Sequence, residues 1–188
     1  MISNPYIEHK STAEIVAALG AAGAPVFQLK GLSGSSKVAL FQAVVSQLKG
    51  NHLVLFHDKE EAAYFYTDLV NLEGTPERTL FFPSSYKRSV QYKQTDEANI
   101  ITRTQNLKRL NEQRVASFII SNAEAMLEKV ITKAELGRNT LDLKVGESLS
   151  REFIEEVLDT YHFQQVDFVY EPGQYSVRGG IVDVFSYS

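Results

Sequence analysis

Three short runs, "HLVLFH" at 52–57, "RTLFFP" at 78–83 and "VASFIISN" at 115–122, are apolar at nearly every position rather than at alternate ones. A strand with one wet face alternates. A strand apolar throughout needs cover on both sides, the condition met by parallel strands between helices. The intervening sequence supplies those helices: "DKEEAAYFYTDLVNL" reads as one capped by Asp58, and "DEANIITRTQNLKRLNEQ" as another. Upstream, "STAEIVAALGAAG" predicts a short amphipathic helix with a Ser/Thr cap, "PVFQLKG" predicts a strand, and Leu40, Phe41, Val44, Val45 and Leu48 fall at helical spacing. Strand and helix in turn imply an α/β fold with an open, mostly parallel sheet.

The pattern changes near Lys133. "NTLDLKVGESLSREFIEEVLDTYHF" predicts a half-alternating strand, a turn at Gly146 and a helix from about Ser150, and "QQVDFVYEPGQYSVRGGIVDVFSYS" predicts three short strands separated by "EPG" and "RGG". Tight glycine turns imply an antiparallel meander. The expected organisation is an α/β layer over residues 1–132 and a small α+β domain over 133–188. The chain stops just after a strand-like run, so the small domain is expected to be truncated and the chain to be a fragment of a longer one.

Composition narrows the chemistry. With 19 basic and 23 acidic residues the net charge is -4, which opposes diffuse attraction to a polyanion. The absence of cysteine removes disulfides and thiolate sites. His9, His52, His57 and His162 have no ligand-like spacing, so no metal or other cofactor is expected. Neither a leader peptide nor a membrane-spanning run is apparent, which points to the cytoplasm.

Between the predicted strand at Pro25 and the helix at Ser36 lies "GLSGSSKVALF", a phosphate loop of the form G-x-x-x-x-G-K-[ST] with two departures. Gly31 holds the first fixed position, Gly34 lies within the loop, and Lys37 is the lysine that would reach the outer phosphates. Ser36 replaces the second glycine, with strain expected if the backbone there needs a positive φ. Val38 replaces the hydroxyl residue that would hold magnesium, and valine offers no oxygen to a hard cation. No acidic strand end compensates: "ASFIISN" ends in Ser121-Asn122, Asp58 serves as a cap, and Asp96-Glu97 reads as the negative first turn of a helix. The loop reads as vestigial, and no organised catalytic set appears elsewhere.

"GLSGSSKVALF", "LVLFHDKEEAAYFYTDL", "LFFPSSYKR", "QTDEANIITRTQNLKRL" and "FVYEPGQYSVRGGIVDVFSYS" together resemble the N-terminal region of the bacterial transcription-repair coupling factors, the Mfd family, from about Asn4 to Ser188. The resemblance implies a UvrB-like, ATPase-like layer without helicase motifs and a small inserted domain that binds UvrA in nucleotide-excision repair. Contacts with RNA polymerase and DNA, and ATP-driven translocation, would belong to other domains of the parent protein, which are further implied partners. This region would then be non-enzymatic. The family's UvrA-binding arginine before the glycine pair is matched by Arg178. A second family arginine aligns with Gln164, which donates hydrogen bonds but cannot form a bidentate charged pair. Tyr175 and Phe185 fall in the same strands, where period-two burial is compatible with either core or interface. The link "FFPSSYKRSVQYKQTDEAN" is too short for the long DNA-inserting hairpin of UvrB.

One basic, aromatic patch is present: Tyr86, Lys87, Arg88, Tyr92 and Lys93. Stacking plus phosphate neutralisation would suit single-stranded nucleic acid; a solvated loop explains the same residues. A UvrB-like nucleotide- or DNA-binding enzyme fragment is therefore the competing reading.

Overall fold

The structure, a computed structural model, describes residues 4–23, 25–73, 76–86, 96–112, 116–138 and 140–186. The chain divides into two compact units, residues 1–84 with 112–128 and residues 85–111 with 129–188. The fold is mixed α/β: the first unit holds a three-stranded parallel sheet and the second a small mixed sheet.

In the first unit, β1 (His52–Phe56), β2 (Thr79–Phe82) and β3 (Phe118–Asn122) are ordered β1-β3-β2, with β3 central and parallel to both neighbours. Val54, Ile120 and Phe81 are paired across the three strands and so share a face. Against that face lie α2 (Ser36–Val45) and α3 (Lys59–Glu73), whose Val38, Val45, Ala62, Phe65 and Leu69 form the core with Phe118 and Ile120. The i, i+3, i+7 spacing of Ala62, Phe65 and Leu69 is what turns one stripe of α3 inward. Phe41 packs edge-on against both Phe65 (5.5 Å) and Phe118 (5.8 Å), a preferred aromatic arrangement. Of the aromatic run in α3, Phe65 is buried, Tyr66 packs on Phe81 and Tyr64 is exposed.

Local caps explain where helices begin. Asp58 accepts from the Glu61 N–H (2.7 Å), and Glu60 and Glu61 complement the helix dipole. Asp96 accepts from the Asn99 N–H (3.3 Å) at the head of α4 (Glu97–Glu112). α1 (Lys10–Gly20) departs from expectation: its cap is His9, whose Nδ1 accepts from the Ser11 N–H, and Ser11 and Thr12 lie inside the helix. The larger departure is "PVFQLKG". Residues 25–30 form no strand: Val26, Phe27 and Leu29 are exposed and join no ladder among the described residues. Apolar character alone does not make a strand without a paired neighbour.

After the short helices α5 (Ala123–Leu127) and α6 (Lys133–Arg138), the second unit contains α7 (Arg151–Thr160), β4 (Gln164–Gln165), β5 (Gln174–Arg178) and β6 (Ile181–Phe185). Ser150 caps α7 by accepting from the Phe153 N–H (3.2 Å). No strand forms at residues 140–145. The three expected strands are present, but they are not a simple meander: β5 and β6 are antiparallel, whereas β4 runs parallel to β5. The reason is the "VDFVYEPG" connection. It continues beside β5, with Val166 N–H bonded to the Tyr175 carbonyl, bends back at residues 167–168 and turns a second time at Glu171–Gln174, where Gly173 has φ 83°; two reversals return the chain to the sense of β4.

Candidate interaction face and disabled phosphate loop

The register of the small sheet sorts its side chains. Gln164, Gln174 and Phe185 form one row across all three strands, and Arg178 pairs with Ile181 at the other end of β5. Paired residues, and residues two apart along a strand, project to one face. Gln164, Arg178 and Phe185 therefore share a face, with Arg178 about 13 Å along β5 from the row holding the other two, at roughly 3.3 Å per residue. Tyr175 is on the opposite face: it is 2% exposed and donates its hydroxyl to Asp159 of α7 (2.9 Å). Burial, then the Asp159 carboxylate, pushes the Tyr175 hydroxyl pKa above its ordinary value. It is a packing residue of the sheet–helix layer.

The outward face is mixed in character. Arg178, half-exposed, donates through Nη2 to the Asp183 carboxylate, and its guanidinium carbon sits 5.4 Å from the centroid of the Phe168 ring. Beside it, Phe168 and Ile181 are exposed apolar groups, and Phe185 is exposed at the far end of the same face. β4 ends at Gln165, and beside the uncovered part of β5 a depression of about 440 Å³ is lined by Asp167, Phe168, Ser176 and Arg178 among others. The Gly179-Gly180 pair makes the two-residue turn, with Gly179 at φ 63°, a conformation open to glycine and costly for most other residues. Phe168 and Asp183 were not singled out from the sequence. Asp183 had a usable signal, since a two-residue turn at "GG" places it diagonally across from Arg178; Phe168 is delivered by an irregular connection that leaves no periodic trace.

In the phosphate-loop region, Gly31 and Gly34 have φ 80° and 53°. Ser36 opens α2 in right-handed geometry, so the strain expected from losing the second glycine is absent; among the described non-glycine residues only His162 has a positive φ. The Ser36 hydroxyl instead closes the loop, accepting from the Ser33 N–H (2.9 Å) and donating to the Ser33 carbonyl (2.6 Å). Lys37 Nζ is 3.0 Å from Glu61 Oε1, and the Ser35 hydroxyl donates to Asp68 (2.7 Å). Both acids belong to α3. Val38, where a magnesium-holding hydroxyl would stand, is 3% exposed and part of the core.

Of the basic, aromatic patch, only Tyr86 is among the described residues; Lys87, Arg88, Tyr92 and Lys93 lie outside them, as does most of the link considered for a hairpin. Among the described residues, no group of three or more His, Cys, Asp or Glu is arranged to hold a metal, and no helix is long and apolar enough to cross a membrane.

Comparison with known proteins falls on the same features. Residues 141–188, the segment carrying α7 and the small sheet, match the family described as the UvrB interaction domain. Over most of the chain the similarity is to UvrABC system protein B: 25% identity over 166 residues to that of Methanothermobacter thermautotrophicus, covering 83% of this chain and 26% of that protein. The Herpetosiphon aurantiacus protein of the same name is 24% identical over 169 residues, covering 84% of this chain and 24% of the relative. The Transcription-repair-coupling factor of Escherichia coli is 31% identical over 67 residues, 36% of this chain and 6% of that protein. The chain thus spans about a quarter of the length of the UvrABC system protein B relatives, and its last 48 residues carry a UvrB interaction domain match.

Proposed function

We propose that this chain is a non-catalytic protein-interaction region that recruits UvrA in nucleotide-excision repair, through the outward face of its small sheet. The observation that carries this reading is the coincidence of the UvrB interaction domain match, residues 141–188, with a face on which Arg178 is exposed among apolar side chains. Arginine flanked by aromatic residues is the composition that dominates binding at protein interfaces. Gln164 and Phe185 extend the face, and the buried Tyr175 supports it from behind.

The parent protein, in this reading, is a transcription-repair coupling factor working in the cytoplasm, with polymerase and DNA engaged by its other domains. The 67-residue similarity to the Escherichia coli factor supports that assignment. A non-catalytic role is supported by the first unit, where Lys37 is engaged by Glu61 and Val38 is a core residue. Calorimetric titration of UvrA into the wild type and into Arg178→Glu tests the site. The expected result is measurable binding by the wild type and a loss of at least about tenfold in the variant; equal affinities would sink it.

A second reading is a UvrB-like nucleotide- or DNA-binding enzyme fragment, favoured by the breadth of similarity to UvrABC system protein B across both units. A rise in apparent stability with Mg-ATP, abolished by Lys37→Ala, would establish it instead.

A further inference from the structure

Arg178 is held on two sides. Asp183, diagonal to it across the β5–β6 hairpin, takes a bond from Nη2, and the Phe168 ring lies 5.4 Å from the guanidinium carbon. A free arginine loses substantial rotamer entropy when a partner captures it, and a preset one loses less. A guanidinium carries five N–H donors, and Asp183 bonds only through Nη2. The plate therefore keeps donors for a second acid while one of its nitrogens is already engaged by Asp183. Phe168 itself is 58% exposed, so the ring that seats the arginine also presents apolar area beside it. Asp167, Ser176 and Phe168 wall the adjoining depression, which has room for one partner side chain.

We propose that Phe168 and Asp183 complete the recognition surface: Asp183 is a positioning residue that orients the Arg178 guanidinium, and Phe168 is a second contact residue. The surface is fitted to a partner that offers a carboxylate next to an apolar side chain. This deepens the reading of the sheet as a UvrA-binding face and rests on it for the identity of the partner. The orienting role of Asp183 stands independently of that identity. A purely basic partner does not fit, because it would meet the Arg178 charge, and a nucleic-acid partner does not fit, because Asp183 sits within the contact and repels phosphate.

The test combines two measurements on the 188-residue chain. In the first, guanidinium 15N spectra of Arg178 report rotation about its Cζ–N bonds. Hindered rotation is expected in the wild type and averaged signals in Asp183→Asn; averaging in both would overturn the orienting role, whatever UvrA does. In the second, UvrA is titrated against Phe168→Ala, Asp183→Asn, Arg178→Ala and the Arg178→Ala/Asp183→Asn pair, each first verified as folded by circular dichroism. Expected losses are about tenfold for Phe168→Ala and about threefold or more for Asp183→Asn, with the Asp183 effect vanishing in the Arg178→Ala background. Unchanged affinity in Phe168→Ala rejects its contact role. Tighter binding by Asp183→Asn would mean that the acid competes with the partner, and would reject the positioning role. No binding by the wild type would reject the UvrA reading and the contact role built on it, leaving the spectra to decide the clamp.

Discussion

Lys37 on α2 and Glu61 on α3 are joined by a 3.0 Å ion pair, so the cation that a working phosphate loop reserves for its nucleotide is spent on an acid of the same chain. Each side chain is about half exposed, and such pairs contribute about 1 kcal/mol or less in water. Lys37→Ala is accordingly expected to lower stability by no more than about that amount in urea denaturation. Mg-ATP is expected to leave the melting temperature of both proteins unchanged, which a thermal-shift scan checks.

Restoring the motif in name should not restore its chemistry. Val38 packs with Phe65, Leu69 and Ile120, so Val38→Thr places a hydroxyl in an apolar core. The expected cost is about 1–3 kcal/mol with no gain in magnesium or nucleotide binding. Chemical denaturation gives the first quantity and calorimetry the second.

Tyr175→Phe removes the bond to Asp159 while keeping the ring. A loss of about 0.5–1.5 kcal/mol is expected at neutral pH. The Tyr175 hydroxyl pKa is raised in the folded state, so folding holds its proton more tightly than the unfolded chain does. Its contribution is full below the ordinary tyrosine pKa of 10.0 and declines as pH rises through the folded value. Stability curves from pH 8 to 11 should therefore fall less steeply in Tyr175→Phe than in the wild type. UvrA affinity should be nearly unaltered, since the residue faces α7.

His52, at the head of β1, behaves in the opposite sense. Desolvation, then the nearby Arg78 charge, lowers its pKa from the ordinary 6.5, and its buried Nε2 has no hydrogen-bond partner among the described residues. The unfolded chain takes up the proton first, so stability is complete above pH 6.5 and decreases as pH falls below it toward the folded value. His52→Gln is expected to flatten that part of the profile, as read by thermal melts between pH 5 and 7.5.

The parallel sheet was legible because its strands are apolar at nearly every position, although only β2 and β3 are covered on both faces and β1 leaves Leu53 and Leu55 exposed; the caps at Asp58 and Ser150 were legible because their chemistry is local. The segment at Pro25 was misread for a non-local reason: Val26, Phe27 and Leu29 have strand composition, yet strand formation depends on a partner edge that composition does not specify. The reversed sense of β4 has the same origin, since an eight-residue connection can turn either before or after running beside its neighbour. In the candidate site, Arg178 was found through its motif. The burial of Tyr175 followed only from register, and Phe168 only from the path of a loop.

The two-residue turn at Gly179-Gly180 has a consequence for how this region tolerates change. Surface loops ordinarily accept insertions at little cost, but here turn length fixes which side of β6 faces outward. One added residue that slipped the register would carry Asp183 to the α7 side and turn the half-buried Val182 to the outward face. Lineages descended from such a sequence should therefore vary in the residues around this turn while keeping its length, a signature of insertion and deletion rather than of substitution.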